Sequence, residues 1–305
     1  MSLIKKASEL EIPSTLKLMI YGQAGMGKTT FALSAPSPLL LDFDDGVKRV
    51  NLEHLKDTVQ IKTWQDVQKV LQEDLSAYKT IVIDTVGKMM DLIITYKCGT
   101  RQPRVQDWGG INQEFNWLTR AVSSLDKNIV FVAHRDTRRE GDETVFIPAL
   151  REKNYNKIVT ELDLLGYMEM RAENGQQHRT ITFDPTSRND GKNTCNLPSM
   201  MVIPNIIDKQ GNITGKNDFI QTQIIAPYHA MLAKKQADKA EYDKVIADID
   251  LLLENVTDAD GANQFVDVIK NIKVVGNSMT YAKSKFSERV KALGLKYNAK
   301  DKIYE

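Results

Sequence analysis

Eight consecutive residues, Gly22-Gln23-Ala24-Gly25-Met26-Gly27-Lys28-Thr29, fit the pattern G-x-x-x-x-G-K-[ST] without a mismatch. The chemistry open to such a run is the binding of a polyphosphate. Its glycines let a loop wrap close to the anion, so that successive backbone N–H groups point at phosphate oxygens. Lys28 adds a point charge toward the β- and γ-phosphates, and the Thr29 hydroxyl is placed to ligate Mg²⁺. A helix is expected over residues 29 to about 35, with Thr30 in its first turn and Pro36 as its stop, and it aims its positive end at the same anion. Residues 22–30 are therefore the expected contact for a nucleoside triphosphate.

A carboxylate is available for the metal. Asp84 closes the apolar run Thr80-Ile81-Val82-Ile83, and an acid at the tip of a buried strand can hold Mg²⁺ through water. Asp84 is also suited to cap a helix starting near Thr85, and the two roles are compatible. Thr85 stands where many ATP-driven motors carry a Glu, so a base that activates water has to come from elsewhere. Asp84-Thr85-Val86-Gly87 matches the D-x-x-G of GTPases. The guanine-reading N-K-x-D that should follow the next strand is replaced by Ala133-His134-Arg135-Asp136, which speaks against GTP.

Residues 16 to about 207 alternate short apolar runs with helical patterns, as βαβ units around a buried parallel sheet do. The strand candidates are 16–21, 39–41, 80–83 and 129–132. Helical stripes run through Trp64, Val67, Leu71 and Leu75, opened by Thr63 and Asp66 as a capping box, and through Ile111, Phe115, Leu118, Val122 and Leu125. Both read as core-packing faces. Two polar turns, Glu140-Gly141-Asp142-Glu143 and Glu173-Asn174-Gly175-Gln176, each separate a pair of strand-like segments, so antiparallel hairpins extend the sheet. The expected organisation is a core over 1–207, a Gly- and Asn-rich loop or linker over 208–220, and a helical region over 221–305.

As an ordered set these features resemble the phage-encoded branch of RecA-like ATPases, found with recombination and single-strand annealing genes. The resemblance covers roughly residues 16–200. It rests on the 22–29 loop, the acidic Leu41-Asp42-Phe43-Asp44-Asp45-Gly46, Val132-Ala133-His134-Arg135 and Asp163-Leu164-Leu165-Gly166-Tyr167. Ile83-Asp84-Thr85-Val86 is similar to the V-D-S-V stretch of RecA-type recombinases. The resemblance implies an α/β, RecA-like P-loop NTPase fold: a mainly parallel sheet with an antiparallel extension, plus a small helical C-terminal region. It also implies ATP and Mg²⁺ as cofactors, with hydrolysis of ATP.

Carried over residue by residue, the resemblance puts Asp44 where the family has a catalytic Glu that orients or deprotonates the attacking water. Asp42 and Asp45 are alternatives, and a solvated acidic turn is the plain reading of the cluster. His134 takes the place of a polar sensor that reads the γ-phosphate and passes its state into the loop beyond, although a lone His is as readily structural. Lys192-Asn193-Thr194 matches a Lys-x-Arg element in Lys192 only, with Thr194 replacing the Arg and Arg188 as a substitute finger. A finger that completes a neighbour's site implies a head-to-tail homo-oligomer with ATP at subunit interfaces.

Single-stranded DNA is the partner the resemblance implies. Residues 135–157 carry six basic and five acidic side chains, with Arg135, Arg138, Arg139, Arg151, Lys153 and Lys157 as phosphate contacts beside Tyr155. The rival surface is the C-terminal tail, where Lys283, Lys285, Arg289, Lys291, Lys296, Lys300 and Lys302 interleave with Tyr281, Phe286, Tyr297 and Tyr304. Phe286, Val290 and Leu293 have helical spacing, so part of the tail is a core stripe, and a single-strand-binding protein is an equally open partner for it. Charge divides this region: nine acidic against two basic residues in 237–269, then eight basic against three acidic in 273–305.

Composition sets the outer limits. Across 305 residues, 42% hydrophobic and 27% charged, disorder and fibrous repeats are excluded. The 41 Lys+Arg against 40 Asp+Glu restrict any nucleic-acid surface to a local patch. Cys98 and Cys195 form neither a metal-binding spacing nor a disulfide framework, and no apolar run approaches the ~18 residues of a membrane span. A cytoplasmic protein with no membrane partner is expected, in the host cytoplasm if phage-encoded. The resulting expectation is an Mg-ATP-hydrolysing protein acting on single-stranded DNA in recombination, annealing or replication. The alternatives are an annealing or partner-binding module using ATP as a slow switch, and a GTPase or small-molecule kinase.

Overall fold

In the computed structural model, residues 12–173, 175–208 and 210–305 are described. Internal packing divides them into two units, Pro13–His229 and Ala230–Glu305, with Ile12 grouped with the latter. The first unit begins with β1 (Lys17–Gly22), α1 (Lys28–Ala32), β2 (Pro38–Asp42), β3 (Thr58–Gln60), α2 (Trp64–Val70), β4 (Thr80–Asp84) and α3 (Val86–Cys98). It continues with α4 (Asp107–Ser123), β5 (Asn128–Glu140), β6 (Glu143–Pro148), α5 (Glu152–Glu161), β7 (Leu164–Glu173), β8 (Gln176–Thr182), β9 (Lys192–Asn193) and β10 (Met200–Ile203).

These strands form one ten-stranded sheet in the order β10-β8-β7-β1-β5-β4-β2-β3, with β6 added on β5 and β9 on β7. From β7 to β3 the strands are parallel. The pairings made by β6, β8, β9 and β10 are antiparallel. Every residue of β2 and β4 is buried, which is why their sequences are continuous apolar runs and not alternating ones.

Alternate side chains of each strand feed two different cores. Met19, Tyr21, Leu41, Ile83 and Phe131 pack under α2, α3 and α4, against Trp64, Val67, Met89, Ile111, Phe115 and Leu118. Leu18, Ile20, Leu40, Val82 and Val130 face the other way, onto Phe31 of α1 and onto Phe219, Ile220, Ile224 and Ile225. The segment that follows the Gly- and Asn-rich stretch is thus core of the first unit, and residues 208–220 lie within that unit. Thr63 and Asp66 form the capping box the sequence announces. Helix α3 is capped by Thr85, whose side chain accepts from Lys88 N at 3.4 Å, so Asp84 is spared that role.

The second unit holds the rest of α6 (Ala226–Glu254), then α7 (Ala259–Val268), α8 (Ser278–Ala292) and a small hairpin of β11 (Tyr297–Asn298) and β12 (Ile303–Tyr304). Its core joins Val245 and Ile249 to Phe265, Phe286 and Val290. Here the expectation of base-stacking aromatics is corrected. Phe286 stacks on Phe265 with ring centres 4.6 Å apart, Tyr304 meets Phe286 edge-on, and Tyr281 donates to Asp250. Only Tyr297 of the four is largely exposed. The acidic and basic blocks also meet directly, Lys273 pairing with Glu241. Among the described residues no helix is long and apolar enough to cross a membrane.

Candidate active site

The parallel register aligns the ends of four strands: Gly22 pairs with His134, Val132 with Asp84, and Asp84 with Asp42. Residues separated by more than a hundred positions therefore share one edge, the carboxyl edge where open α/β sheets bind ligands. A cavity of about 190 Å³ opens there, lined by residues 24–30, Asp44, Gly46, Arg49, Val50, Asp84, Thr85, Val132 and His134.

The phosphate-loop glycines serve different ends. Gly25 and Gly27 have φ of 78° and 76°, the left-handed region that glycine enters without steric cost. Gly22 is fixed by packing: a Cβ there would sit 2.4 Å from the Met168 carbonyl oxygen on β7. Gly22 and Gln23 lie behind the cavity and hold Lys28, whose Nζ donates to their carbonyls at 3.0 and 2.8 Å. Ala24, Gly25, Met26, Gly27, Thr29 and Thr30 face the cavity. Lys28 is itself buried, which lowers its pKa, while Asp84 and Asp44 pull it back up.

Thr29 Oγ1 donates to Asp84 Oδ2 at 2.6 Å, so both metal-ligand candidates sit side by side. Burial raises the Asp84 carboxyl to about 6; the Thr29 hydroxyl works against this, and Asp44 and Asp42 add to it. Two oxygen donors in a pocket crowded with carboxylates fit a hard divalent cation such as Mg²⁺.

The three clustered acids part company. Asp42 is buried and accepts the backbone N–H of Asp44, Gly46 and Val47, so it builds the turn. Asp45 pairs with Lys62 at 2.5 Å. Asp44 alone lines the cavity, with Oδ2 3.8 Å from Arg49 and Oδ1 buried without a hydrogen-bond partner. A Cβ at Gly46 would sit 2.6 Å from that Oδ1, so only glycine leaves the carboxylate where it is. His134 lines the same cavity; partial burial and the Lys28 charge lower its pKa, which favours a neutral ring.

Lys192 is not brought to this site. Its Nζ donates to the carbonyls of Val159 and Thr160 at 2.9 and 3.2 Å, at the C-terminal end of α5 within its own chain. Arg188 is exposed and 3.6 Å from Glu169. Gly87 of the D-x-x-G match stands in the first turn of α3 with ordinary room for a side chain, so no tight turn demands it.

Residues 135–157 contain the hairpin expected around 140–143. They are the outer half of β5, then β6 and the start of α5. Most of their basic side chains are engaged: Arg135 lies over the Phe146 ring, Arg138 pairs with Glu140 and Asp190, Arg151 stacks on Trp108, and Lys157 donates to Asn116. Tyr155 is buried and donates to Asp190.

Two arginines at the site carry no sequence signal. Arg49 reaches Asp44 from the turn after β2, and Arg179 comes from β8, far along the chain, to lie against Gly27.

A family model described as an AAA domain matches residues 14–195. The chain belongs to this AAA domain family. The match spans the phosphate loop, Asp44, Asp84, His134 and Arg179, and ends before β10. The fold of this AAA domain protein is that of a RecA-like P-loop NTPase, a mainly parallel sheet with an antiparallel extension, and it supports nucleotide binding and hydrolysis. Among solved structures, the chain is similar to the flagellar accessory protein FlaH from Methanocaldococcus jannaschii, with 14% identity and a TM-score of 0.40, over 67% of this chain and 92% of that one. It is also similar to the KaiC-like protein PH0186 from Pyrococcus horikoshii OT3, with 11% identity and a TM-score of 0.34, over 55% of this chain and 77% of that one. No curated protein matches it in sequence.

Proposed function

We propose that this AAA domain protein hydrolyses ATP with Mg²⁺ and couples the nucleotide's state to single-stranded DNA in phage recombination, annealing or replication. The observation that carries the hydrolytic part is Asp44. A buried carboxylate oxygen without a donor, sharing a cavity with Lys28, Thr29, Asp84 and His134, is suited to accept a proton from an attacking water. Thr29 and Asp84 would hold Mg²⁺, which when bound neutralises charge on the β- and γ-phosphates. Lys28 presents its charge at the mouth of the loop, where phosphate oxygens can replace the Gly22 and Gln23 carbonyls. A neutral His134 can donate to a γ-phosphate oxygen.

The coupling to DNA draws on continuity. His134 belongs to the same strand, β5, that runs on into the β5–β6 hairpin, where exposed Arg139 is a phosphate contact. The host cytoplasm and a head-to-tail homo-oligomer belong to this reading, with a single-strand-binding protein as a further partner. A second reading, in which ATP is a slow switch for an annealing module, draws on one observation: within its own chain the Lys192 ammonium is bonded to carbonyls of α5.

The test is steady-state hydrolysis of ATP and GTP at matched salt, with and without single-stranded DNA. Stimulation by DNA, selective for ATP, is the result expected. DNA binding with negligible turnover would replace the first reading with the second, and neither binding nor turnover would remove both.

A further inference from the structure

A second and larger cavity, of about 400 Å³, adjoins the outer side of the phosphate loop. One wall is the loop and its helix, through Gly27, Thr30 and Phe31; the other is the end of β10 and the chain beyond it, residues 202–207, 216–219, 222 and 223. The far wall is tied to the near one. Asn217 Nδ2 donates to the Thr30 carbonyl at 2.7 Å, and the Ile220 backbone N–H donates to Ser34 Oγ at 2.9 Å. Its lining is mixed, with Val202, Ile206 and Phe219 offering apolar surface and Asn205, Asp218 and Gln223 polar groups. Such a blend suits a heterocycle with hydrogen-bonding edges.

Arg179 stands where this cavity meets the loop. Its guanidinium carbon lies 3.7 Å from the point a Cβ would occupy on Gly27, and its Nε is buried without a hydrogen-bond partner. Burial alone lowers its pKa, with no carboxylate opposing the shift. A desolvated guanidinium is costly unless it is paired. Here only Nε is sealed off and the residue as a whole is partly exposed; among the described residues no hydrogen bond or ion pair holds the guanidinium, so its amino groups are open to a ligand in the cavity. Guanidinium groups suit both a phosphate oxygen and the face of a base.

Resting on the nucleotide reading above, we propose that this cavity receives the nucleoside part of the triphosphate and that Arg179, acting within its own chain, is a nucleotide-contacting cation that separates a nucleoside triphosphate from bare polyphosphate. The role fits the position, since Lys28 already serves the terminal phosphates from the inner side of the loop. It also gives residues 205–223 a function that a linker would not have.

The experiment is calorimetric titration of the full chain with Mg-ATP and with inorganic tripolyphosphate, comparing wild type, Lys28→Ala, Arg179→Met and Thr222→Trp. Thr222 is an exposed residue on the cavity wall, so the indole fills the cavity without disturbing the core. ATP affinity should fall at least tenfold in Arg179→Met and in Thr222→Trp, with tripolyphosphate affinity changed less than threefold, whereas Lys28→Ala should weaken both ligands. Without ligand, Arg179→Met should unfold at the same temperature as wild type or higher, because a partly buried charge that makes no ion pair is gone; a lower midpoint with unchanged ATP affinity would reassign Arg179 to the fold. If ATP binding depends on Lys28 but is unmoved by both cavity variants, this inference fails and the phosphate-loop reading stands. Equal loss of ATP and tripolyphosphate in Arg179→Met would overturn the nucleoside role. Absence of ATP binding in wild type would overturn both.

Discussion

The Thr29 hydroxyl donates to Asp84 across 2.6 Å, joining the first helical turn after the phosphate loop to the tip of a strand two places away in the sheet. The contact holds two oxygen donors together before any metal binds. It also leaves Asp84 in a poor setting for an isolated charge, since burial raises its carboxyl to about 6.

That setting makes Asp84 a stability liability that depends on pH. The folded-state value lies above the ~3.9 of an unfolded Asp, so the contribution of this group falls as pH rises from about 4 to about 6, and stays low above that. Asp84→Asn keeps an acceptor for Thr29 and removes the charge. Without nucleotide or Mg²⁺ it should raise stability by roughly 2–3 kcal/mol at pH 7.5, and by little near pH 4.5, while abolishing Mg-dependent ATP binding. Thermal unfolding at the two pH values checks it; a gain equal at both would disconnect the effect from the carboxyl.

The three acids after β2 should answer differently to mutation. Asp44→Asn should preserve ATP affinity and lower turnover by a hundredfold or more, on the order of a lost general base. Asp45→Asn should change neither beyond about twofold, because its surface pair with Lys62 is worth little. Asp42→Ala orphans three backbone N–H groups and should cost about 2–4 kcal/mol of stability. Single-turnover hydrolysis alongside denaturant melts separates the three, and loss of turnover in Asp45→Asn alone would transfer the role to that residue.

Lys28→Ala removes the charge aimed at the phosphates and should reduce ATP affinity by at least tenfold, with turnover lost. Relief of the desolvated ammonium offsets the loss of its two bonds to loop carbonyls, so its truncation should leave the unfolding midpoint of the ligand-free protein nearly unchanged. Wild-type hydrolysis in this variant would dismiss the loop as the active site.

Lys192→Met is the test of the finger role. The side chain holds the last carbonyls of α5, so its loss should lower stability by about 1 kcal/mol and leave ATP turnover within twofold. A collapse of turnover that tracks protein concentration would restore Lys192 as a group acting on a neighbouring chain.

Much of this was legible from residue order. The phosphate loop announces itself because its function needs glycine, lysine and threonine at fixed spacing, and the strands announce themselves because two-sided burial makes them continuously apolar. The stripe from Ile111 to Val122 did fall on a buried helix face, as did Trp64 and Val67, whereas α2 ends at Val70 and α4 at Ser123, so Leu71, Leu75 and Leu125 pack from beyond the helices. Helix α5 gives little signal in the sequence because its one-sided stripe of Tyr155, Ile158 and Val159 is short and set in a polar stretch. The tail's aromatics are ambiguous in sequence because Phe286 looks the same whether it stacks on a base or on Phe265, and Tyr304 whether it meets a base or Phe286.

Sequence by itself determined the ligand class, the parallel sheet and the set of carboxylates from which the site draws. Tertiary structure decided which member of that set faces the cavity. Asp42, Asp44 and Asp45 are chemically equal until the turn gives one three N–H groups, another a lysine, and the third a cavity. Arg179 and the wall at 205–223 belong to the same category. Nothing local marks them, because their role comes from lying against Gly27 and Thr30, and only the closing of the sheet brings such distant segments together.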